Sequence, residues 1–216
     1  MPHTYQEILD AGFRRGEHFQ VETGNLENIS YCLLVAPHGG LIEPGTAEVT
    51  FAVARLRKWA YYLFKGQLPR QNWSRLHLSS TCFDEPTLLS LLEQTQFALT
   101  VHGEGQEHNR NIYVGGLYAE GRKMLVSNLN ADLADLGITA CDAFRCRRRA
   151  GIAGRSQRNI CNRGSRRQGL QVELSRGVRS ALFKGLGSEG LKHPNKALDA
   201  LARSIDRTLS HLLARA

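Results

Sequence analysis

The chain has 216 residues, of which 42% are hydrophobic and 22% charged, and its formal net charge is +8. This length and composition are typical of a folded α/β domain and exclude a disordered chain. No apolar run approaches the ~20 residues of a membrane-spanning helix, and the N-terminal stretch lacks the basic start and apolar run of a secretory signal. We therefore expect one domain over residues 1–216, made in the cytoplasm and not bound to a membrane.

Short apolar runs alternate with helical patterns along the whole chain, which predicts a layered α/β sheet. The predicted strands cover residues 31–36, 75–80, 97–101, 111–114 and 170–175. The predicted helices cover residues 46–62, 86–95, 118–136 and 195–214. The last of these has leucines and an isoleucine at helical spacing with charged residues between them, so we expect it to pack on the sheet.

The basic charge is concentrated between residues 143 and 172, where the sequence has no Asp or Glu. The arginines of this stretch are Arg145, Arg147, Arg148, Arg149, Arg155, Arg158, Arg163, Arg166 and Arg167. A basic face of this kind suits nucleic acid, an anionic lipid surface or an acidic polymer, although a solvated basic loop explains it equally simply. Because a strand follows, residues 145–169 are expected to form a functional loop or a set of turns rather than a linker.

Two histidines follow predicted strands directly, and each is followed by glycine. His38 comes after the strand at 31–36, and His102 comes after the strand at 97–101. Ligands bind beyond the carboxyl ends of strands in open α/β sheets. Glu43 could return to the same point across the turn, and two imidazoles with one carboxylate leave a fourth position for water, as in catalytic zinc sites. The alternative is that these are ordinary core or surface residues.

The other histidines are weaker candidates for a role in the site. His108 is close enough in sequence to contact a substrate at such a site. No such context surrounds the remaining five, which are expected to be structural or solvated: His3, His18, His77, His193 and His211.

Glu173 lies within the predicted strand LQVELS, on the face opposite Leu170, Val172 and Leu174. An acid in the middle of a strand is unfavourable to bury unless it is paired or used. One interpretation is an ion pair with a nearby arginine. The other is a general base beside a metal, taking a proton from water and delivering it to a leaving amine.

Four motifs together resemble a known family: PHGGLIEPGTAE, TVHG, NICNRG and LQVELSRGVR. They are similar to those of the zinc-dependent poly-γ-glutamate hydrolases, best known from bacteriophages, and the similarity spans roughly residues 4–212. The resemblance implies a metallocarboxypeptidase-like, three-layer α/β/α fold with a mixed, mostly parallel sheet. It also implies one zinc ion on His38, Glu43 and His102, with Glu173 as general base for hydrolysis of γ-glutamyl amide bonds. A phage-encoded member would be released by host lysis.

The resemblance extends less firmly to substrate binding. Asn162–Arg163 is similar to the Asn-Arg pair that holds a substrate carboxylate in carboxypeptidases, and Arg158 and Asn159 are further candidates. The ligand spacing HxxxxE departs from the HxxE of the broader carboxypeptidase group, and Gly39 and Gly40 make the longer turn sterically easy.

The expected partner is polyanionic poly-γ-glutamate, whose free carboxylates match the forked guanidinium groups of arginine, and the chain is expected to be a monomer. Two alternatives remain at this point. One is an N-acyl- or N-formyl-glutamate amidohydrolase with a similar zinc site and small substrates. The other is a nucleic-acid-binding protein. It is disfavoured because only Phe144 lies among the arginines to stack on bases, so no nucleic-acid partner is expected.

Overall fold

The computed structural model of the protein describes residues 1–105, 109–146 and 151–215. Within these residues the strands are β1 (Phe19–Gly24), β2 (Cys32–Gly40), β3 (Ala60–Gly66), β4 (Phe97–Glu104), β5 (Asn111–Gly115), β6 (Thr139–Asp142) and β7 (Leu170–Ser175). The helices are α1 (Tyr5–Asp10), α2 (Thr46–Arg57), α3 (Asn72–Leu76), α4 (Pro86–Glu93), α5 (Ala119–Leu133), α6 (Arg176–Leu182), α7 (Ser188–Leu191) and α8 (Lys196–Leu213). None of these helices is both long and apolar enough to cross a bilayer.

The seven strands of the described chain form one sheet in the order β1-β3-β2-β4-β7-β5-β6. Neighbours β3/β2, β2/β4, β4/β7 and β5/β6 are parallel, whereas β1/β3 and β7/β5 are antiparallel. Two separate clusters of buried apolar side chains cover the two faces of this sheet. The predicted three-layer α/β/α fold with a mixed, mostly parallel sheet is therefore confirmed.

Alternation along the central strands decides which side chain enters which layer. Leu34 and Ala36 of β2 face the layer of α2, α5 and α8, while Leu33 and Val35 face the layer that contains α1 and α4. Both sets are fully or almost fully buried. A central strand covered on both faces has a continuous apolar sequence, which is why β2 is so clear in the sequence.

The parallel pairing of β2, β4 and β7 brings their carboxyl ends to one edge of the sheet. His102 of β4 is in register with Glu173 of β7. His38 lies near the end of β2, which pairs with β4 on the other side. The backbone topology thus places residues that are far apart in sequence at one edge.

The helix predicted over residues 46–62 ends early, at Arg57. Lys58 adopts a left-handed backbone conformation with φ of 53°, and its N–H donates to the carbonyl of Ala54, which closes the helix. The following residues form β3, whose side chains are almost all buried. Because both faces of β3 are covered, its sequence lacks the alternation that marks a strand.

The strand predicted over residues 75–80 is wrong, because α3 ends at Leu76 and the next residues belong to no strand of the described sheet. Leu76 and Leu78 are both fully buried in the core layer around α4, an alternation that mimics a strand. The carbonyl of Ser80 accepts a hydrogen bond from the N–H of Ile160 instead of joining the sheet. The sequence also fails to predict β1 and β6, the two edge strands, because they are short and only partly buried.

We predict that the loss of stability on shortening a leucine side chain of α8 depends on which face of the helix carries that leucine. Leu209 is fully buried, whereas Leu213 on the same helix is 45% exposed. Leu209→Ala leaves a cavity and should lower the free energy of unfolding by about 2–5 kcal/mol. Leu213→Ala, the matched control, should change it by no more than about 0.5 kcal/mol. Urea denaturation followed by circular dichroism measures both, and equal losses would contradict the packing described here.

Candidate metal centre

The turn after β2 folds back on itself and returns Glu43 to His38. His38 lies in a bulge where the register of β2 with β3 shifts. Gly40 has φ of +63°, and a side chain at Gly39 would place its Cβ 2.8 Å from that of Ala47. The N–H of Glu43 donates to the carbonyl of His38 at 2.8 Å. The two glycines are therefore required for a turn this tight.

Three side chains converge at the carboxyl ends of β2 and β4. Nδ1 of His38 lies 3.1 Å from Oε1 of Glu43 and 3.2 Å from Nδ1 of His102. Nδ1 of His102 lies 3.8 Å from Oε2 of Glu43. The ligand atoms of a tetrahedral zinc ion with bonds of 2.0–2.1 Å are about 3.3 Å apart. The spacing of the three groups is therefore close to that of a shared metal ion.

Hydrogen bonds outside the cluster set the protonation of its inner atoms. Nε2 of His38 donates to the carbonyl of Leu78 at 2.7 Å, so the Nδ1 of the neutral imidazole is an acceptor. The N–H of Gly103 donates to Oε2 of Glu43 at 2.8 Å. Nε2 of His102 lies 3.4 Å from Oγ of Ser80. Acceptor atoms that face one another in a buried site favour a cation between them.

The electrostatics of the cluster also suit a cation. Burial opposes ionisation of Glu43, but His38, His102 and the amide of Gly103 outweigh it, and the pKa of Glu43 falls to about 2. Burial lowers the pKa of His102 to about 3 although Glu43 opposes this shift. At neutral pH the cluster therefore offers an ionised carboxylate and a neutral imidazole, the forms that bind metals.

The structure adds a fourth donor that the sequence analysis missed. Nε2 of His77 lies 3.7 Å from Oε1 of Glu43, and His38, Glu43 and His77 each offer a ligand atom within 4.8 Å of the others. The ring of His77 stacks on that of His38 with centroids 4.0 Å apart. Burial and the nearby His38 lower the pKa of His77 to about 4. No sequence signal marks His77, because it lies just after the short helix α3.

Glu173 lies beside the cluster and is held by a chain of amides. Nε2 of Gln171 donates to Oε1 of Glu173 at 2.9 Å, and Nδ2 of Asn159 donates to Oε1 of Gln171 at 2.9 Å. Burial and the charge of Glu43 raise the pKa of Glu173 well above its ordinary value. Glu173 is therefore a buried carboxyl group with a fixed orientation and a preference for its protonated form.

A cavity of about 870 Å³ opens over these groups. Its lining includes His38, Glu43, Trp73, His77, His102, Asn159, Gln171, Glu173, Arg176 and Arg179. The sequence analysis missed Arg176 and Arg179, since α6 was not predicted and both arginines lie outside the arginine-rich stretch. Among the described residues, the cleft therefore combines a metal-binding type of cluster with the further carboxyl groups of Glu104 and Glu173 and the cationic side chains of Arg176 and Arg179.

Asn162, Arg163 and Arg158, which were predicted to bind substrate, are not among the described residues that line this cleft. Asn162 is fully buried; its Oδ1 accepts from the N–H groups of Leu117 and Gly169, and its Nδ2 donates to the carbonyls of Gly154 and Ser156. The side chain of Asn162 thus ties four backbone groups together.

The predicted arginines also lie elsewhere. Nη1 of Arg163 donates to the carbonyl of Phe83 at 3.3 Å, and Arg158 is exposed outside the cleft. Of the predicted substrate contacts, only the further candidate Asn159 lines the cavity. His108 and the arginines 147–149 lie outside the described residues.

Together, the three-layer fold and the cluster at its sheet edge define a protein with a buried histidine–carboxylate site of the metal-binding type. The sequence profile described as poly-gamma-glutamate hydrolase matches residues 3–204. The chain belongs to the poly-gamma-glutamate hydrolase family.

Relatives of known structure cover the whole chain. The structure of a bacteriophage poly-gamma-glutamate hydrolase superposes with a TM-score of 0.89 and 28% identity, covering 100% of this chain and 99% of that one. The zinc-free apo form of YndL superposes with a TM-score of 0.82 and 28% identity, covering 98% of both chains. These matches support the fold along its full length.

Curated sequence relatives come from Bacillus subtilis (strain 168). UPF0714 protein YmaC is 33% identical over 159 residues, which cover 71% of this chain and 61% of YmaC. The SPbeta prophage-derived UPF0714 protein YoqZ is 34% identical over 151 residues, which cover 70% of this chain and 51% of YoqZ. The matches thus span only about half to three-fifths of these relatives.

We predict that Asn162 contributes chiefly to stability. Asn162→Ala leaves buried N–H and carbonyl groups without partners, at roughly 1–3 kcal/mol for each unsatisfied group, so the variant should lose at least about 3 kcal/mol. The control is Asn128→Ala, which removes one half-buried hydrogen bond to Thr208 and should lose about 1 kcal/mol. Urea denaturation measures both. An Asn162 variant of native stability would restore the substrate-binding interpretation.

Proposed function

We propose that the chain is a zinc-dependent hydrolase that cleaves the γ-glutamyl amide bonds of poly-γ-glutamate. The observation that carries the proposal is the convergence of His38, Glu43 and His102 beside Glu173 in one cleft. Membership of the poly-gamma-glutamate hydrolase family supports the substrate. The similarity to a protein solved in a form called zinc-free supports the choice of metal.

We assign the metal to Nδ1 of His38, Nδ1 of His102 and the carboxylate of Glu43. The imidazole planes of His38 and His102 are inclined by 61°, and their Nδ1 atoms lie 3.2 Å apart, close enough to share an ion. The ring of His77 instead stacks on that of His38 at 28°, and we leave it out of the assigned ligand set. Zinc bound here would polarise the amide carbonyl and lower the pKa of a water molecule to about 7.

In this proposal Glu173 is the group that accepts and donates the proton. Its Oε1 is engaged by Gln171, so we assign the transfers to Oε2. Glu173 accepts the proton of the attacking water and then delivers it to the departing amine. Its raised pKa, caused by burial and by the charge of Glu43, makes its ionised form a stronger base for the first transfer than an exposed carboxylate.

The substrate carries one free carboxylate per residue, and the cleft offers cationic groups to receive it. Arg176 is exposed and lines the cleft at the start of α6. We assign Arg176 to a substrate carboxylate, in place of Asn162, Arg163 and Arg158, because a guanidinium forms paired hydrogen bonds with a carboxylate. The arginine-rich stretch then serves, at most, the parts of the polymer outside the cleft.

A small-molecule amidohydrolase acting on N-acyl- or N-formyl-glutamate is the second candidate. The cavity volume of about 870 Å³ lies within the range of about 300–1,000 Å³ that is typical of sites for small molecules. A size series of γ-glutamyl oligomers, assayed beside an N-acyl-glutamate, separates the two. Rates that rise with chain length support the polymer, whereas preference for the N-acyl-glutamate supports the alternative.

We predict that the purified protein binds about one equivalent of zinc and loses hydrolysis of poly-γ-glutamate when a chelator removes it. His102→Ala should weaken zinc binding strongly because it deletes an assigned ligand. His77→Ala should keep the stoichiometry, and the exposed His193→Ala serves as the control. Elemental analysis and competition with a chromophoric chelator measure both effects. Zinc lost from the His77 variant but kept by the His102 variant would refute the assigned ligand set.

We predict that Glu173→Gln lowers kcat/KM by about 10²–10⁴-fold, the usual contribution of a general acid–base, while zinc content is unchanged. The control is Glu104→Gln, which removes another carboxylate from the same cleft and should cost less than about 10-fold. Steady-state kinetics on a γ-glutamyl oligomer provide the comparison. Near-normal turnover of the Glu173 variant would remove this residue from the mechanism.

A further inference from the structure

Arg179 is a buried cation that the assigned mechanism does not use. It lies on α6, lines the floor of the cleft and is only 5% exposed. Its guanidinium donates three hydrogen bonds to backbone carbonyls: Nε to Leu174 at 3.3 Å, Nη1 to Pro44 at 2.8 Å and Nη2 to Glu104 at 3.1 Å. These segments come from three separate parts of the chain.

Each of the three carbonyls lies beside a residue of the candidate site. Pro44 follows Glu43, Leu174 follows Glu173, and Glu104 is two residues after His102. One guanidinium group therefore ties together the turn after β2 and the ends of β4 and β7. A planar group with donors in fixed directions is suited to this task, because it restrains the three segments relative to one another.

The packing around Arg179 supports the same role. A Cβ at Gly103 would lie 2.8 Å from Cζ of Arg179, so the guanidinium packs directly against the backbone of Gly103. The N–H of Gly103 donates to Oε2 of Glu43. Arg179 thus contacts the peptide segment that orients Glu43.

The positive charge of Arg179 acts on the carboxyl groups of the site without direct contact. Among the described residues, Arg179 forms no ion pair with a carboxylate, and the acceptors of its hydrogen bonds are neutral backbone carbonyls. Burial and the neighbouring Arg176 lower the pKa of Arg179, whereas Glu43, Glu104 and Glu173 oppose this shift. A buried cation near two carboxylates stabilises their ionised forms even without direct contact.

We propose that Arg179 is a positioning residue that sets the affinity of the site for zinc by holding the three metal- and base-bearing segments in place. This inference rests on the proposed zinc site. Hydrogen-bond partners that orient metal ligands typically change metal affinity by about 10–100-fold when they are removed. The same range is expected for loss of Arg179.

The test compares two buried arginines that both bond to the backbone. Arg179→Met removes the group at the site, and Arg122→Met is the matched control. Arg122 is 8% exposed and donates to the carbonyl of Gly116 and to Asp142, at the opposite edge of the sheet. Zinc affinity is measured by competition with a chromophoric chelator on folded protein, and stability is measured in parallel.

We expect zinc binding to weaken by about 10–100-fold in Arg179→Met and by less than 3-fold in Arg122→Met, although both variants lose stability. In Arg179→Ala, added methylguanidinium should restore much of the affinity, which a purely structural role would not predict. Equal zinc affinities for wild type and Arg179→Met, or equal weakening in both Met variants, would overturn the proposal.

A metal-independent measurement separates this inference from the proposed function. If the wild type binds no zinc, the zinc hydrolase proposal fails, and amide hydrogen exchange of the metal-free protein then decides the role of Arg179. Exchange of residues 43–46 and 101–104 should be at least 10-fold faster in Arg179→Met than in wild type, and unchanged in Arg122→Met. Unchanged exchange in both variants would rule out the positioning role.

Discussion

The structure depends on parallel pairing of β2, β4 and β7, which brings ionisable side chains to one buried edge of the sheet. His38, Glu43, His102 and Glu173 are each no more than 7% exposed. Buried groups of this kind are tolerated only when their hydrogen-bonding and charge requirements are met locally. The backbone carbonyl of Leu78 and the N–H of Gly103 meet them for His38 and Glu43, and the side-chain amide of Gln171 does so for Glu173. The shape of the site is therefore set by the polar groups that surround its ionisable residues.

The sequence alone predicts those parts of the site that local patterns mark. His38 and His102 each follow an apolar run that is clearly a strand, and Glu173 is an acid within a third strand, so the three could be placed at one sheet edge. His77 and Arg179 have no such signal, because tertiary contacts alone bring them to the cleft. The sequence also gives no signal for β3. Because its side chains are almost all buried, it lacks the alternation that distinguishes a strand from the end of a helix.

Charge composition predicts a partner more readily than it predicts a contact surface. The later part of the arginine-rich stretch lies at the end of the sheet opposite the cleft. The N–H groups of Ser165 and Arg166 donate to the carbonyls of Thr95 and Gln96, just before β4 begins, whereas His102 is near the other end of that strand. An excess of arginines in a segment therefore does not predict which end of the sheet they occupy. Among the described residues, the arginines that line the cleft come from α6.

The surroundings of Glu43 and Glu173 shift the pKa values of these two carboxyl groups in opposite directions. Glu43 is buried, yet two imidazoles and a backbone N–H lower its pKa to about 2, so it stays ionised at neutral pH. Glu173 is buried with an amide as its hydrogen-bond partner, and burial and the charge of Glu43 raise its pKa. Ionisable groups whose environments separate their pKa values in this way take different roles in catalysis. Both carboxyl groups lie at the same sheet edge, and Arg179 donates to the carbonyls of Pro44 and Leu174, the residues that follow them in the chain.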